Sequence, residues 1–297
     1  MKKLAKRLFF VAVIVGVIGY IGTYHIAPYA IIMKHETTFE VDFNQYDFKY
    51  EKVNLAVQDS IVLDSYVITP KTDSMKGIII MVHGIGSCKE PFVNLAENLA
   101  SKNIGTFLFD LRAHGKSGGK YCTYGYYEKN DIQEIVDYLK FKFPNKKIGI
   151  WGASLGGAIA IQSLELDARI EFGLIECTFT ELDRIVYDYQ KRICYGVGFK
   201  FITDASLAKA GEIAEFNPEE VKPINSVEHI TQPVFLAHGD KDENISFEYG
   251  KLLFENLKSE EKTFVPIEGG GHNSLQELGG IEYHNKVMNF IDRQLEK

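Results

Sequence analysis

One serine, one aspartate and one histidine are spaced along this chain so that an alcohol could be made nucleophilic. Gly152-Ala153-Ser154-Leu155-Gly156 follows an apolar run, Lys147–Trp151, and opens a stretch rich in Ala, Gly and Ile that ends near Leu166. Gly-x-Ser-x-Gly between a strand and a helix reads as a nucleophile elbow, a turn tight enough to hold the serine in strained backbone and lift its hydroxyl clear. Small flanking residues are needed because neighbouring backbone crowds the turn. The same turn leaves the Leu155 N–H at a helix N-terminus, where it can face a developing oxyanion. A plain helix-capping serine would also fit a strand–helix junction, but it would not require the glycines.

A hydroxyl needs a base, and the base needs an acid to orient it. His238-Gly239-Asp240-Lys241-Asp242 follows the strand-like Pro233–Ala237, and Glu268-Gly269-Gly270-Gly271-His272 follows Thr263–Ile267. The order serine, acid, histidine matches the elbow's usual partners. His272 is the expected base, since three glycines let its loop swing the ring over a serine. Asp242 is the expected acid, with Asp240 and Glu176, the latter after Ile170–Ile175, as alternatives. His83 and His238 open strand-end turns and are expected to hold loops. His25, His35, His114, His229 and His284 lie in poorer places. His83-Gly84-Ile85-Gly86 follows Gly77–Val82, and its glycines free the Ile85 N–H to act as a second oxyanion donor. Asp110 and Arg112, after Gly105–Phe109, read as a structural brace.

The elements that would position these groups alternate. Tyr50–Val57 and Ile61–Thr69 pair as strands, and Gly77–Val82 and Gly105–Phe109 are short apolar strands suited to burial on both faces. Glu90–Lys102 and Tyr126–Phe141 have helical spacing, as do Ser154–Leu166, Phe247–Leu257 and Ile281–Leu295. Such alternation predicts a mostly parallel sheet covered on both faces, with its site beyond the carboxyl ends of the strands. Residues 178–232 break the pattern.

HGIG, DLRAHGKSGG, GASLGG, ECTFT, HGDKD and GGGHN stand in an order that resembles the α/β-hydrolase family across roughly residues 50–295. The likeness is greatest to bacterial serine hydrolases of the acylglycerol-lipase and esterase type, and to the catalytic domains of prolyl-oligopeptidase-like enzymes. It implies an α/β-hydrolase fold with Ser154, Asp242 and His272 as catalytic triad and Ile85 and Leu155 as oxyanion-hole donors. It also implies that residues 178–232 form a small cap inserted after the sixth strand. Asp183, Tyr187, Tyr189, Tyr195, Phe199 and Phe201 would then either cover the serine or pack the cap's own core. Ser246 stands where relatives often carry proline, and Ala113 where many have glycine.

The chain divides into three parts. Residues 1–33 form an anchor or signal segment, 34–46 a connector, and 47–297 the hydrolase domain. Leu8 to Met33 carries no Asp, Glu, Lys or Arg and follows Lys2, Lys3, Lys6 and Arg7. That length is enough to cross a bilayer, with the basic end kept cytoplasmic. A cleaved signal peptide is the rival, although no clean small-x-small site appears near Ala30. Either reading puts the catalytic domain outside the cytoplasm.

The remaining composition excludes other classes. With 33 basic and 40 acidic side chains, net −7, the chain offers no basic patch for nucleic acid. No His, Asp and Glu cluster has metal-ligand spacing, and no cofactor is implied. Cys88, Cys122, Cys177 and Cys194 show no CxxC pair; they are either buried thiols or disulfide partners whose pairing is open. The expected activity is hydrolysis of a small-molecule carboxylic ester or acyl compound by a membrane-anchored serine hydrolase. A short-peptide or aminoacyl peptidase, and an idle hydrolase-fold binding protein, are the alternatives.

Overall fold

A computed structural model describes residues 2–296. The chain enters as an apolar helix, α1 (Lys2–Ile21), runs through one wide turn (Gly22–Ile26), and continues as α2 (Ala27–Ile32). Strands β1 (Lys49–Ala56) and β2 (Val62–Thr69) form the expected antiparallel pair. From there strands and helices alternate: β3 (Gly77–Val82), α3 (Val93–Ser101), β4 (Ile104–Phe109), α4 (Glu128–Lys142), β5 (Lys147–Ala153), α5 (Leu155–Leu166) and β6 (Ile170–Glu176). Three helices, α6 (Leu182–Ile193), α7 (Lys200–Ala214) and the short α8 (Pro223–Ser226), precede β7 (Val234–Gly239). The chain closes with α9 (Phe247–Asn256), β8 (Lys262–Ile267) and α10 (Leu275–Glu296).

Eight strands form one sheet in the order β1-β2-β4-β3-β5-β6-β7-β8. The pairings from β4 through β8 are all parallel, so their carboxyl ends share one edge. β3 and β4 are buried along their whole length, as the uninterrupted apolar runs of doubly covered strands require. One core packs α4, α5 and α9 on one face; the other packs α3 and α10 on the opposite face. Helix α10 starts six residues earlier than the periodicity suggests. Gly280, at φ 52°, ψ −146°, kinks it and breaks the spacing.

Residues 178–232 are not irregular: they hold the strongly amphipathic α6 and also α7. Their pattern is obscured because α7 buries small residues, Ser206, Ala210, Gly211 and Ala214, rather than a bulky stripe. α1 and α2 together make one helical stretch long and apolar enough to cross a membrane; α1 has no buried residue, whereas α2 buries Pro28 and Ile32. All four cysteines are unpaired, three of them buried and Cys194 exposed.

Candidate active site

Ser154 sits directly after β5 with φ 57° and ψ −121°, backbone that L-residues seldom occupy. The neighbours that hold it there are specific. Its N–H donates to Glu176 O (2.9 Å) on β6, and its carbonyl accepts from Thr178 Oγ1 (2.7 Å). A Cβ on Gly152 would strike the Gly156 carbonyl, and one on Gly156 would strike Val82 O. Both glycines are therefore dictated by close backbone approach.

Asp242 and His272 meet where β7 and β8 end. His272 Nδ1–H donates to Asp242 Oδ2 (2.7 Å), while Oδ1 of the same carboxylate accepts the Asn244 and Ile245 N–H groups (2.8 and 2.9 Å). Burial alone would raise the Asp242 pKa. Hydrogen bonds from His238, His272 and the Ile245 N–H outweigh it and hold the group well below the usual carboxylate range. The carboxylate thus stays charged and fixes the His272 tautomer with Nε2 free to accept a proton.

Ser154 and the Asp242–His272 pair flank the carboxyl end of β6. Thr178 holds the serine, and Cys177 Sγ lies within 4.8 Å of the ligand atoms of Asp242 and His272. A hydrogen bond between Ser154 and His272 is not among those formed by the described residues; such contacts are often long before substrate binds. Cys177, Asp242 and His272 are also close enough to touch one cation. Burial, however, pushes the Cys177 thiol up and keeps it protonated, and the imidazole occupies the carboxylate, so the set is a poor metal cage.

The His83–Gly86 turn presses on the serine from β3: a Cβ on Gly84 would lie 3.4 Å from Ser154 Cβ. Ile85 and Leu155 both line the cavity above Ser154. Neither N–H donates to another group among the described residues, Leu155 being the first residue of α5. His83 holds this turn as expected, accepting the Leu111 N–H at Nε2 (3.0 Å) and donating from Nδ1 to Gly84 O (2.8 Å). Burial, with nearby His114, lowers its pKa to about 3, so it stays neutral.

Several sequence readings are displaced. Asp110 and Arg112 are structural, as expected, but brace other groups and not each other: Asp110 takes Lys89 Nζ (2.7 Å), and Arg112 grips Asp131 with two bonds of 2.6 Å. Lys89, fully buried among Asp64, Glu90 and Asp110, carries no motif and was legible only as one lysine after a strand. Asp240 Oδ1 accepts the Gly269 N–H instead of an imidazole. Glu176 is held by the Tyr283 hydroxyl and by Trp151, and among the described residues no hydrogen bond joins it to His272. Of the six cap side chains singled out, only Tyr189 lines the cavity, whereas Tyr195, Phe199 and Phe201 are exposed. Ser246, in the frequent proline position, caps α9 by accepting the Glu248 N–H (3.3 Å). Ala113 adopts φ 57°, the conformation glycine would take more readily.

A mostly parallel sheet of this order, an elbow after β5 and a carboxylate–imidazole pair after β7 and β8 define one architecture. The chain carries the α/β-hydrolase fold. Residues 73–178 match the serine aminopeptidase S33 family, a span that takes in the Gly84 turn and the Ser154 elbow. An uncharacterised Bacillus subtilis protein, YqkD, is 26% identical over 88% of this chain and 86% of its own. Alpha/beta hydrolase domain-containing protein 17B of Xenopus laevis is 24% identical over 75% of this chain and 68% of its own. Among solved structures, a Pyrococcus furiosus esterase superposes with TM-score 0.73 at 23% identity, over 89% of this chain and 98% of its own. Est1E of Butyrivibrio proteoclasticus, solved with ferulic acid, gives TM-score 0.63 at 20% identity, covering 83% of this chain and 100% of its own.

The cavity over Ser154 measures about 360 Å³ and is lined by α2, α6, α7, Tyr124, Phe179, Ile245 and the Ile85 turn. No charged side chain is among its lining residues. Such a space suits an apolar chain and disfavours a free ammonium or carboxylate, which would be buried unpaired.

Proposed function

We propose that this chain is a membrane-anchored serine hydrolase that cleaves carboxylic esters through Ser154, His272 and Asp242. The observation that carries the reading is the 2.7 Å His272–Asp242 bond on the same sheet edge as the strained Ser154, which floors an apolar cavity. Ser154 Oγ attacks the ester carbonyl carbon as its proton passes to His272 Nε2. The Ile85 and Leu155 N–H groups receive the oxyanion, and Asp242 stabilises the imidazolium. The tetrahedral intermediate collapses by breaking the bond to the leaving alcohol, which takes the proton from His272. Water, deprotonated by His272, then attacks the acyl–Ser154 ester and releases a carboxylic acid. α1 supplies the anchor, its basic end cytoplasmic and the catalytic body outside.

The family match raises an aminopeptidase alternative. An aminoacyl substrate brings an ammonium group near the scissile bond, and the cavity has no carboxylate among its lining residues to receive it. Turnover of 4-nitrophenyl esters against aminoacyl anilides separates the two, alongside labelling by a fluorophosphonate probe. Wild type should label and hydrolyse the esters, and Ser154→Ala should do neither while remaining folded. Retained hydrolysis by Ser154→Ala would remove the mechanism.

A further inference from the structure

The apolar N-terminal helix enters the body with no linker. Ser206 Oγ on α7 donates to Thr23 O (2.9 Å), Tyr124 OH to Ile31 O (2.6 Å) and Cys122 N–H to Ile32 O (3.1 Å), and Ile32 is fully buried. α2 is thus part of the globular domain, and Ala27, Ala30 and Ile31 form one wall of the cavity above Ser154. α1 has 20 residues; its uncharged part, Leu8–Ile21, makes about 21 Å of helix, short of a hydrocarbon core of about 30 Å, so bridging the bilayer draws the body against it. A body joined rigidly to such a span sits directly on the bilayer surface.

A second observation points the same way. Between Arg192 and Lys200 the α6–α7 connection reads Ile-Cys-Tyr-Gly-Val-Gly-Phe, without a charge. Ile193 is 73% exposed, Tyr195 99% and Phe201 71%, with Val197 and Phe199 also out. Ile193 belongs to two surfaces, lining the cavity while remaining exposed. The flanking Lys191 and Lys200 are already paired with Asp188, Asp183 and Asp204. Hydrocarbon therefore fits this tip better than an acidic partner. Large apolar side chains clustered on one surface mark a membrane or partner contact, and continuity with the spanning helix decides between them.

We propose that the α6–α7 tip inserts into the leaflet that receives α1, and that the cavity draws its substrate from that leaflet: a long-chain carboxylic ester whose acyl chain passes between Ile193 and α2 to reach Ser154. This rests on the esterase reading above. The test uses the full chain reconstituted in phosphatidylcholine vesicles. In Phe201→Trp the added indole should be quenched by brominated phosphatidylcholine well beyond the wild-type baseline, which comes from the buried Trp151 alone. Phe199→Asp/Phe201→Asp should lower turnover of a mono-oleoyl ester in vesicles at least tenfold relative to the same ester in detergent micelles. Ala30→Trp should shift the preference from oleoyl toward butyryl esters at least tenfold. Quenching at baseline, or equal loss in vesicles and micelles, overturns the proposal. Quenching with no ester turnover and no fluorophosphonate labelling in wild type would instead sink the esterase reading, and the substrate half of this one with it, leaving the insertion in place.

Discussion

Replacing Asp242 by Asn separates orientation from packing at one residue. Oδ1 accepts two backbone N–H groups, from Asn244 and Ile245, while Oδ2 faces His272 Nδ1 at 2.7 Å. An asparagine keeps its carbonyl on the backbone pair and turns its NH2 toward the imidazole. His272 Nδ1 must then become the acceptor, which moves the ring proton to Nε2, where it can no longer receive the Ser154 proton. The charge that stabilises the imidazolium is lost as well. Together these should cost about 10³–10⁴ in kcat, which is about 4–5.5 kcal/mol of transition-state stabilisation. The loop keeps its backbone bonds, so the fold should survive. Burst and steady-state kinetics on 4-nitrophenyl butyrate, with circular dichroism as the folding control, measure both effects. The carbonyl of Asp242→Asn holding the loop while activity stays within tenfold of wild type would refute the assignment. So would an equal loss in Glu176→Gln, because Glu176 bonds to Tyr283 and Trp151 and not to His272.

Three further outcomes follow from the same geometry. Gly156→Ala should destabilise by about 1–3 kcal/mol or more, since its Cβ meets Val82 O and cannot move without shifting β3 or α5; urea melts read this, and an unchanged midpoint would contradict the packing. Lys89→Met should cost about 3–5 kcal/mol by leaving Asp64, Glu90 and Asp110 around a neutral side chain, a loss visible in thermal unfolding at neutral pH. The depressed Asp242 pKa stabilises the fold above the ordinary carboxylate value of about 4, and that contribution disappears as pH falls through the lower folded value. Wild type should therefore lose melting temperature below pH 4 more steeply than Asp242→Asn, and parallel curves would show the carboxylate is not held as described.

The elbow was readable because backbone crowding leaves glycine as the only residue that fits at 152 and 156. That constraint is local, so it survives in a linear string. The strands were readable for a similar reason: burial on both faces demands continuous apolar runs, and β3 and β4 have them. Lys89 was not readable. Its three carboxylates come from β2, the adjacent Glu90 and the end of β4, and only folding makes them neighbours. The cap helices were hidden because α7 packs small residues, which leave little periodicity.

The sequence by itself determined the alternating class, the turn that strains Ser154 and the order of the groups that follow, since each depends on residues within one turn or one strand. Tertiary structure decided which carboxylate meets His272, which aromatic side chains leave the cavity, and that the last turns of an apolar helix become its wall. Those outcomes depend on how strand ends and helix faces converge across long loops, and no local preference encodes that convergence.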